Sequence, residues 1–184
     1  MRTLVCVLAL CCLPSPLLAQ GGDGFRADIR HPANGSIEIG RIGFSDLVRS
    51  KADSFGEAEL VRLADYLRID LERALIEANW HGVAVHKTVL TVTVLDVVPN
   101  RPTMQQIQDL DGAHYTTHAN GGASISAELR DAENALVASY SYSWFNPDES
   151  AGEGYGVWTD TRQAFDRFAA ELATSLGIAP MPRS

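Results

Sequence analysis

Apolar residues recur at three- and four-residue steps in two stretches of the chain, which is the pattern of an amphipathic helix. The first stretch follows Ser54–Glu57, whose Ser-x-x-Glu order is typical of a capping box, and we expect it to end at Gly82. The second begins near Thr159 or Asp160 and ends at Gly177. The apolar positions of the two faces are Leu60, Leu63, Ala64, Leu67, Leu71, Ala74, Leu75 and Ala78, then Thr161, Phe165, Phe168, Leu172 and Leu176.

Alternating and β-branched runs predict four strands. Ile37 and Ile39 open the first of them, and Thr88–Val98 is apolar or β-branched on both faces, as in a central strand. Residues 123–130 and 136–144 alternate on either side of a four-residue turn, which predicts a hairpin with one apolar and one serine-rich face. A sheet of this kind has one face on the core and the other in water.

The order of these elements is β-α-β-β-β-α and defines the expected fold class. We predict a two-layer α+β domain, in which two amphipathic helices lie on one face of a mostly antiparallel sheet of about four strands. Residues 35–178 form this single domain, and residues 179–184 form a tail. The connection over residues 99–118 is long for a compact domain, and such connections are often either functional or disordered.

The N-terminal segment has the layout of a secretory signal peptide. Arg2 supplies the positive charge, Leu4–Leu13 is an unbroken apolar run, and Ala19 is a small residue at the expected cleavage site. The apolar run is about half as long as a membrane-spanning helix. We therefore predict a signal peptide over residues 1–19, a flexible glycine-rich leader over residues 20–34, and a periplasmic or secreted location.

All three cysteines, Cys6, Cys11 and Cys12, precede the expected cleavage site. The mature chain can then form no disulfide, thiolate metal site or thiol nucleophile. Neither Cys11 nor Cys12 follows Gly, Ala or Ser, so the match to a lipoprotein signal is poor. Contact with a membrane would require lipidation at Cys12, which we do not expect.

The charge balance argues against a nucleic-acid partner. Cleavage removes Arg2, the one charged residue of the signal segment, and lowers the formal net charge from −8 to −9. A domain this acidic is repelled by phosphate backbones, and no run of Lys or Arg offsets the repulsion.

Residues that could carry chemistry are few. His114 and His118 are four residues apart, with Asp109 and Asp111 just upstream, but Gly112 argues against the helix that would put both imidazoles on one metal. Solvated loop histidines are the simpler interpretation. The sequence has no nucleophile elbow, no Ser-x-x-Lys motif and no phosphate-binding glycine loop, and we predict neither catalytic residues nor a cofactor.

The connection after the central strand begins with two prolines that stiffen a short corner. Pro99 and Pro102 enclose Asn100 and Arg101, and Gln105 follows. One interpretation is structural: Arg101 caps carbonyl groups or pairs with Asp96 or Asp109. The other is a rigid recognition corner, formed by Asn100, Arg101 and Gln105, for an anionic group or a partner.

The run VLDVVPNRPTMQQ, the later hairpin GGASISAELRDAENALVASYSYSW and the two amphipathic helices resemble the DUF3313 group of exported bacterial proteins. The resemblance covers about residues 37–177. It implies a bacterial envelope protein of this fold, and it implies no mechanism and no catalytic residues.

Three functions remain open at this stage. The leading hypothesis is a non-enzymatic domain that binds an envelope protein or a small ligand. A small-molecule or lipid carrier would use Tyr140, Tyr142 and Trp144 as one wall of a groove between sheet and helices, although ordinary core is the simpler interpretation of that stripe. A hydrolase would need a concave site in the 99–118 connection that joins Arg101 to Asp111 and His114.

Overall fold

The computed structural model describes residues 17–20, 24–33, 35–80, 87–109, 111, 114, 116–147 and 156–178. Within them the elements are, in chain order, β1 (Leu17–Gln20), β2 (Arg26–Ile29), β3 (Ser36–Phe44), α1 (Asp46–Ser50), α2 (Ala52–Phe55), α3 (Glu57–Glu77), β4 (Lys87–Val98), α4 (Met104–Asp109), β5 (Gly122–Arg130), β6 (Leu136–Phe145) and α5 (Thr159–Ile178). Residues 1–16 of the predicted signal peptide and the predicted tail over residues 179–184 lie outside the described residues.

The predicted fold class is confirmed. The described strands form a six-stranded sheet in the order β1-β2-β6-β5-β4-β3. All neighbouring strands are antiparallel except β3 and β4, which are parallel because α3 carries the chain from one end of the sheet to the other. α5 packs on β5 and β6, α3 packs on β3, and the two helices pack against each other.

The core lies between the helices and one face of the sheet. The pairing register aligns Val92 with Ala127 and Tyr140, and Val94 with Ile125 and Tyr142. All of these residues are buried, whereas their strand neighbours on the opposite face are more exposed. The helices contribute Leu63, Leu67, Leu71 and Leu75 from α3, and Phe165, Phe168 and Leu172 from α5. The hairpin therefore has the predicted apolar face toward the helices and its serine-rich face outward.

The prediction of a flexible leader over residues 20–34 is wrong for Phe25 and β2. The Phe25 side chain is 1% exposed and lies 6.1 Å from the Tyr140 ring and 6.3 Å from the Phe168 ring. The burial of Phe25 and Ala27 holds the four residues of β2, Arg26–Ile29, against β6. The segment is too short to show a period in the sequence, which is why the alternation rule overlooked it.

The expected capping box at Ser54–Glu57 does not form. Ser54 lies inside α2, and α3 begins after Gly56, whose φ of 93° breaks the helix between them. A capping box occurs instead at α4, where Gln106 N donates to Thr103 Oγ1 at 3.2 Å and Thr103 N donates to Gln106 Oε1 at 3.0 Å. The α4 box fixes the path of the chain just beyond the two prolines.

α3 ends five residues before the expected stop at Gly82, which lies outside the described residues. Asn79 adopts a left-handed conformation with φ 60°, Trp80 N donates to Leu75 O at 2.8 Å, and Asn79 N donates to Ile76 O at 3.0 Å. These two bonds are the Schellman pattern, with asparagine in the place usually taken by glycine. Among the described helices, none combines the length and apolar composition needed to cross a bilayer.

Candidate functional site

The three residues of the predicted recognition corner do not form one exposed surface, because Asn100 is buried. Asn100 follows the end of β4 and is 2% exposed. Its backbone N–H donates to Val157 O at 2.7 Å, and its carbonyl accepts from Ala119 N at 2.9 Å. Asn100 thus joins β4 to two later segments of the chain through its backbone alone.

The side chain of Asn100 faces Asp160, a buried carboxylate in the first turn of α5. Asn100 Nδ2 donates to Asp160 Oδ2 at 2.5 Å, and Asp160 N donates back to Asn100 Oδ1 at 2.8 Å. The same carboxylate accepts from Gly121 N at 3.0 Å and from Asn146 Nδ2 at 3.2 Å. An anion is favoured at a helix N-terminus, and three donors compensate its burial. This Asn100–Asp160 cluster ties the ends of β4, β5 and β6 to α5.

Two glycines make room for the Asn100–Asp160 cluster. A Cβ on Gly121 would lie 2.7 Å from Asn100 Oδ1 and 2.9 Å from Val98 O. A Cβ on Gly122 would lie 2.3 Å from Trp144 O. The Gly-Gly pair at the head of the hairpin is therefore required by close backbone approach, which a side chain would prevent.

The other two residues of the predicted corner lie elsewhere. Gln105 is half-buried on α4, and its Nε2 donates to Asp109 Oδ2 at 2.7 Å. Arg101 is half-buried between the two prolines. Asp96, one of the expected partners of Arg101, forms an ion pair with Lys51 at 2.7 Å and so holds α1 and α2 on the sheet.

The hydrolase and metal hypotheses depended on the 99–118 connection. Asp111, His114 and His118 are all exposed there. Over the part of the chain that the structure describes, no three His, Cys, Asp or Glu side chains are grouped so as to hold a metal ion.

The aromatic stripe of the carrier hypothesis belongs to the core. Tyr140 is 3% exposed and Tyr142 is 2% exposed. The Tyr142 ring lies 6.1 Å from the Phe168 ring of α5, so helix side chains occupy the space a groove would need. Burial raises the pKa of Tyr140 to about 12, against the opposing effect of the Ser175 hydroxyl. Trp144, at the end of the stripe, is half-buried with the Arg167 guanidinium 4.4 Å from its ring centre.

A shallow groove of about 480 Å³ runs between α3 and the start of α5. The Arg162 guanidinium lies 4.5 Å from the centre of the Tyr66 ring at one side. At the other side Arg73 bridges Asp70, at 2.5 Å, and Asp166, at 3.2 Å. Burial raises the pKa of Asp70, while Arg73 opposes that shift. Each of these three charges already has a partner of opposite sign among the described residues, so the geometry on this side of the groove gives no argument for a ligand.

The two edges of the sheet differ, and no pattern along the chain indicates the difference. On the β3 edge, Arg68 of α3 donates to Gly40 O at 2.9 Å and to Ile39 O at 3.3 Å, beside a bulge in the β3–β4 pairing. Bulges and bonded edge carbonyls are devices that prevent further strand pairing. The β2 edge is covered instead by β1, whose Ala19 lies opposite Ala27.

Comparison with known proteins gives a distant likeness of structure. No family model and no curated protein matches the chain. Among solved structures, a PelC dodecamer from Paraburkholderia phytofirmans is similar, with a TM-score of 0.44 and 14% identity over 83% of this chain and 95% of that chain. A likeness of this degree carries no argument about function, and the resemblance to the DUF3313 group stays a prediction.

Proposed function

We propose that this chain is an exported bacterial envelope protein that loses residues 1–19, and that the mature domain binds a protein partner and catalyses no reaction. Of the two kinds of partner that the sequence left open, an envelope protein and a small ligand, we propose the protein. The export part depends on the signal-peptide pattern around Arg2, Leu4–Leu13 and Ala19.

The position of the expected cleavage bond carries the proposal. The bond between Ala19 and Gln20 lies within β1, which covers the edge of the sheet at β2. Cleavage there removes three of the four residues of β1 and leaves the outer N–H and C=O groups of β2 without strand partners. An edge in that condition accepts a strand from another chain. Processing and partner binding are thereby linked through one element.

The polar residues that could have served catalysis support a binding function. Asp160 is 1% exposed, and its carboxylate is occupied by three donors of the chain itself. A general acid or base must instead reach a substrate proton. The side chain of Asn100, in the 99–118 connection, is hydrogen-bonded within the same cluster.

Intact-mass spectrometry of the exported protein tests the proposal. The full chain is expressed in a Gram-negative bacterium, and the envelope fraction is analysed without refolding. We expect a mass that begins at Gln20, whereas Ala19→Arg, which places a bulky charge at the cleavage site, should leave the precursor uncut. A wild-type protein that keeps residues 1–19, or that carries a diacylglyceryl group on Cys12, would contradict the proposal.

A further inference from the structure

We propose that the mature protein pairs with a second copy of itself through β2, in antiparallel orientation and centred on Ala27. The inference rests on the proposed function, because β1 must be removed before a second β2 can take its place. The dimer would join two five-stranded sheets into one continuous sheet across a twofold axis.

The backbone of β2 already presents the groups that such pairing needs. Arg30 N donates to Val137 O in β6 at 2.9 Å, and hydrogen-bond direction alternates along a strand. The N–H and C=O groups of Ala27 and Ile29 therefore face away from β6, toward the edge. With a twofold axis at Ala27, Ala27 of one copy forms a hydrogen-bonded pair with Ala27 of the other. The second Ala27 then takes the position that Ala19 of β1 occupies in the structure.

The side chains in this register are self-complementary. Arg26 lies opposite Asp28 of the second copy, and Asp28 opposite Arg26 of the second copy, on the outer face of the sheet. These are non-hydrogen-bonded pairs, in which antiparallel side chains come closest. On the inner face Phe25 lies opposite Ile29 of the second copy, so an apolar residue meets an apolar residue. A shift by one residue would lose both matches.

Asp28 is poorly satisfied within the chain. Its Oδ1 atom is buried and makes no hydrogen bond to any described residue. Its Oδ2 atom reaches Arg30 Nε only at 4.0 Å. Arg26 is exposed. These values describe Asp28 with β1 in place, where Leu18 lies opposite it and a leucine side chain offers no donor. A guanidinium from a second copy in the same position supplies donors to the carboxylate.

The opposite edge cannot compete for the second copy. The β3 edge is bulged, and Arg68 bonds its carbonyls. Because one edge accepts a strand and the other does not, self-pairing closes as a dimer and cannot extend into a fibre.

Analytical ultracentrifugation of the processed protein tests the inference, with a charge-swap series as the central design. Arg26→Asp places two carboxylates opposite each other in both pairs, and Asp28→Arg does the same with two guanidinium groups. Each single change should raise the dimer dissociation constant by at least about tenfold, since two attractive pairs become repulsive. An equimolar mixture of the two variants should form a heterodimer, because every introduced charge then faces its opposite.

Two further variants keep the test interpretable. The double change Arg26→Asp with Asp28→Arg should restore the wild-type dissociation constant to within about threefold, because the two pairs are exchanged and kept. Arg41→Asp alters an exposed charge on the β3 edge and should leave dimerisation unchanged. Circular dichroism of each variant reports whether the fold is intact.

The outcomes separate the two proposals. A processed wild-type protein that stays monomeric at high micromolar concentration overturns the self-pairing alone, and so does a dimer that the single charge changes leave unaffected. A precursor that keeps residues 1–19 in the mass spectrum contradicts the proposed function first, and the self-pairing with it. A heterodimer from two monomeric variants supports the inference directly.

Discussion

Asn100 and Asp160 together connect the ends of three strands to α5 at one end of the domain. The sequence pattern predicts a recognition corner around Asn100 because Pro99 and Pro102 stiffen the chain there. Its partner, Asp160, lies 60 residues away, and the pair meets only because β4 ends beside the first turn of α5. Local patterns contain no information about such a contact.

Replacing Asn100 should therefore change stability. Asn100→Ala removes one donor to a buried carboxylate and leaves Asp160 N without its acceptor, and we expect the free energy of unfolding to fall by about 2–4 kcal/mol. Gln105→Ala is the matched control, since Gln105 bonds only within the half-exposed helix α4, and it should cost less than about 1 kcal/mol. Urea denaturation compares the two. Equal losses would contradict the role given to Asn100.

Glycine at position 121 is the second residue-scale requirement. Gly121→Ala would place a methyl group 2.7 Å from Asn100 Oδ1, and we expect a loss of about 1–3 kcal/mol. Gly177→Ala, in α5, meets no described atom within 4 Å and should gain up to about 1 kcal/mol from helix propensity. Thermal unfolding of both variants measures this contrast. An unchanged Gly121 variant would show that the cluster tolerates a Cβ.

The burial of Tyr140 should make the free energy of unfolding depend on pH in the alkaline range. Burial raises its pKa to about 12, above the ordinary value of 10.0, so the unfolded chain releases the phenol proton at lower pH than the folded chain does. Stability is then lost as the pH rises from the unfolded pKa toward the folded one. Between about pH 9 and about pH 11, the wild type should lose about 1 kcal/mol more than Tyr140→Phe. Parallel curves of unfolding free energy against pH would contradict this assignment.

At the scale of elements, the sequence predicted the helices and strands that are long enough to repeat an apolar pattern. α3, α5 and the β5–β6 hairpin repeat their apolar positions over many residues. α5 and the hairpin lie where expected, whereas α3 is shorter than expected at its C-terminal end. β2 has four residues and α4 has six, so neither can establish a period. The Ser-x-x-Glu motif was misleading because Gly56 breaks the helix inside it, while the Thr103–Gln106 motif beyond Pro102 was overlooked.

The two capping motifs can be told apart by mutation. Thr103→Ala removes the side-chain acceptor at the N-terminus of α4 and should cost about 1 kcal/mol. Ser54→Ala is the control, because α3 has no side-chain cap and Ser54 lies within α2, and it should change stability by less than about 0.5 kcal/mol. Chemical denaturation gives both values. A larger loss for Ser54→Ala would restore the capping box that the sequence indicated.

At the scale of the molecule, the sheet has two different edges. Arg68 and the bulge between Ile39 and Ile42 close the β3 edge, whereas the β2 edge is closed by a segment that contains the expected cleavage bond. No pattern in the sequence foretold this difference, because it depends on which strands end up outermost. The same chain is thus expected to be closed as a precursor and open at β2 once processed.

Hydrogen exchange at β2 distinguishes an open sheet edge from one that a second copy covers. The amide protons of Ala27 and Ile29 are measured in the processed protein at low and high micromolar concentration, with Asp28→Arg as the comparison. We predict fast exchange in dilute wild-type protein, slow exchange in concentrated wild-type protein, and fast exchange for Asp28→Arg at both concentrations. Exchange that does not respond to concentration would contradict the claim that processing opens β2 for a second copy.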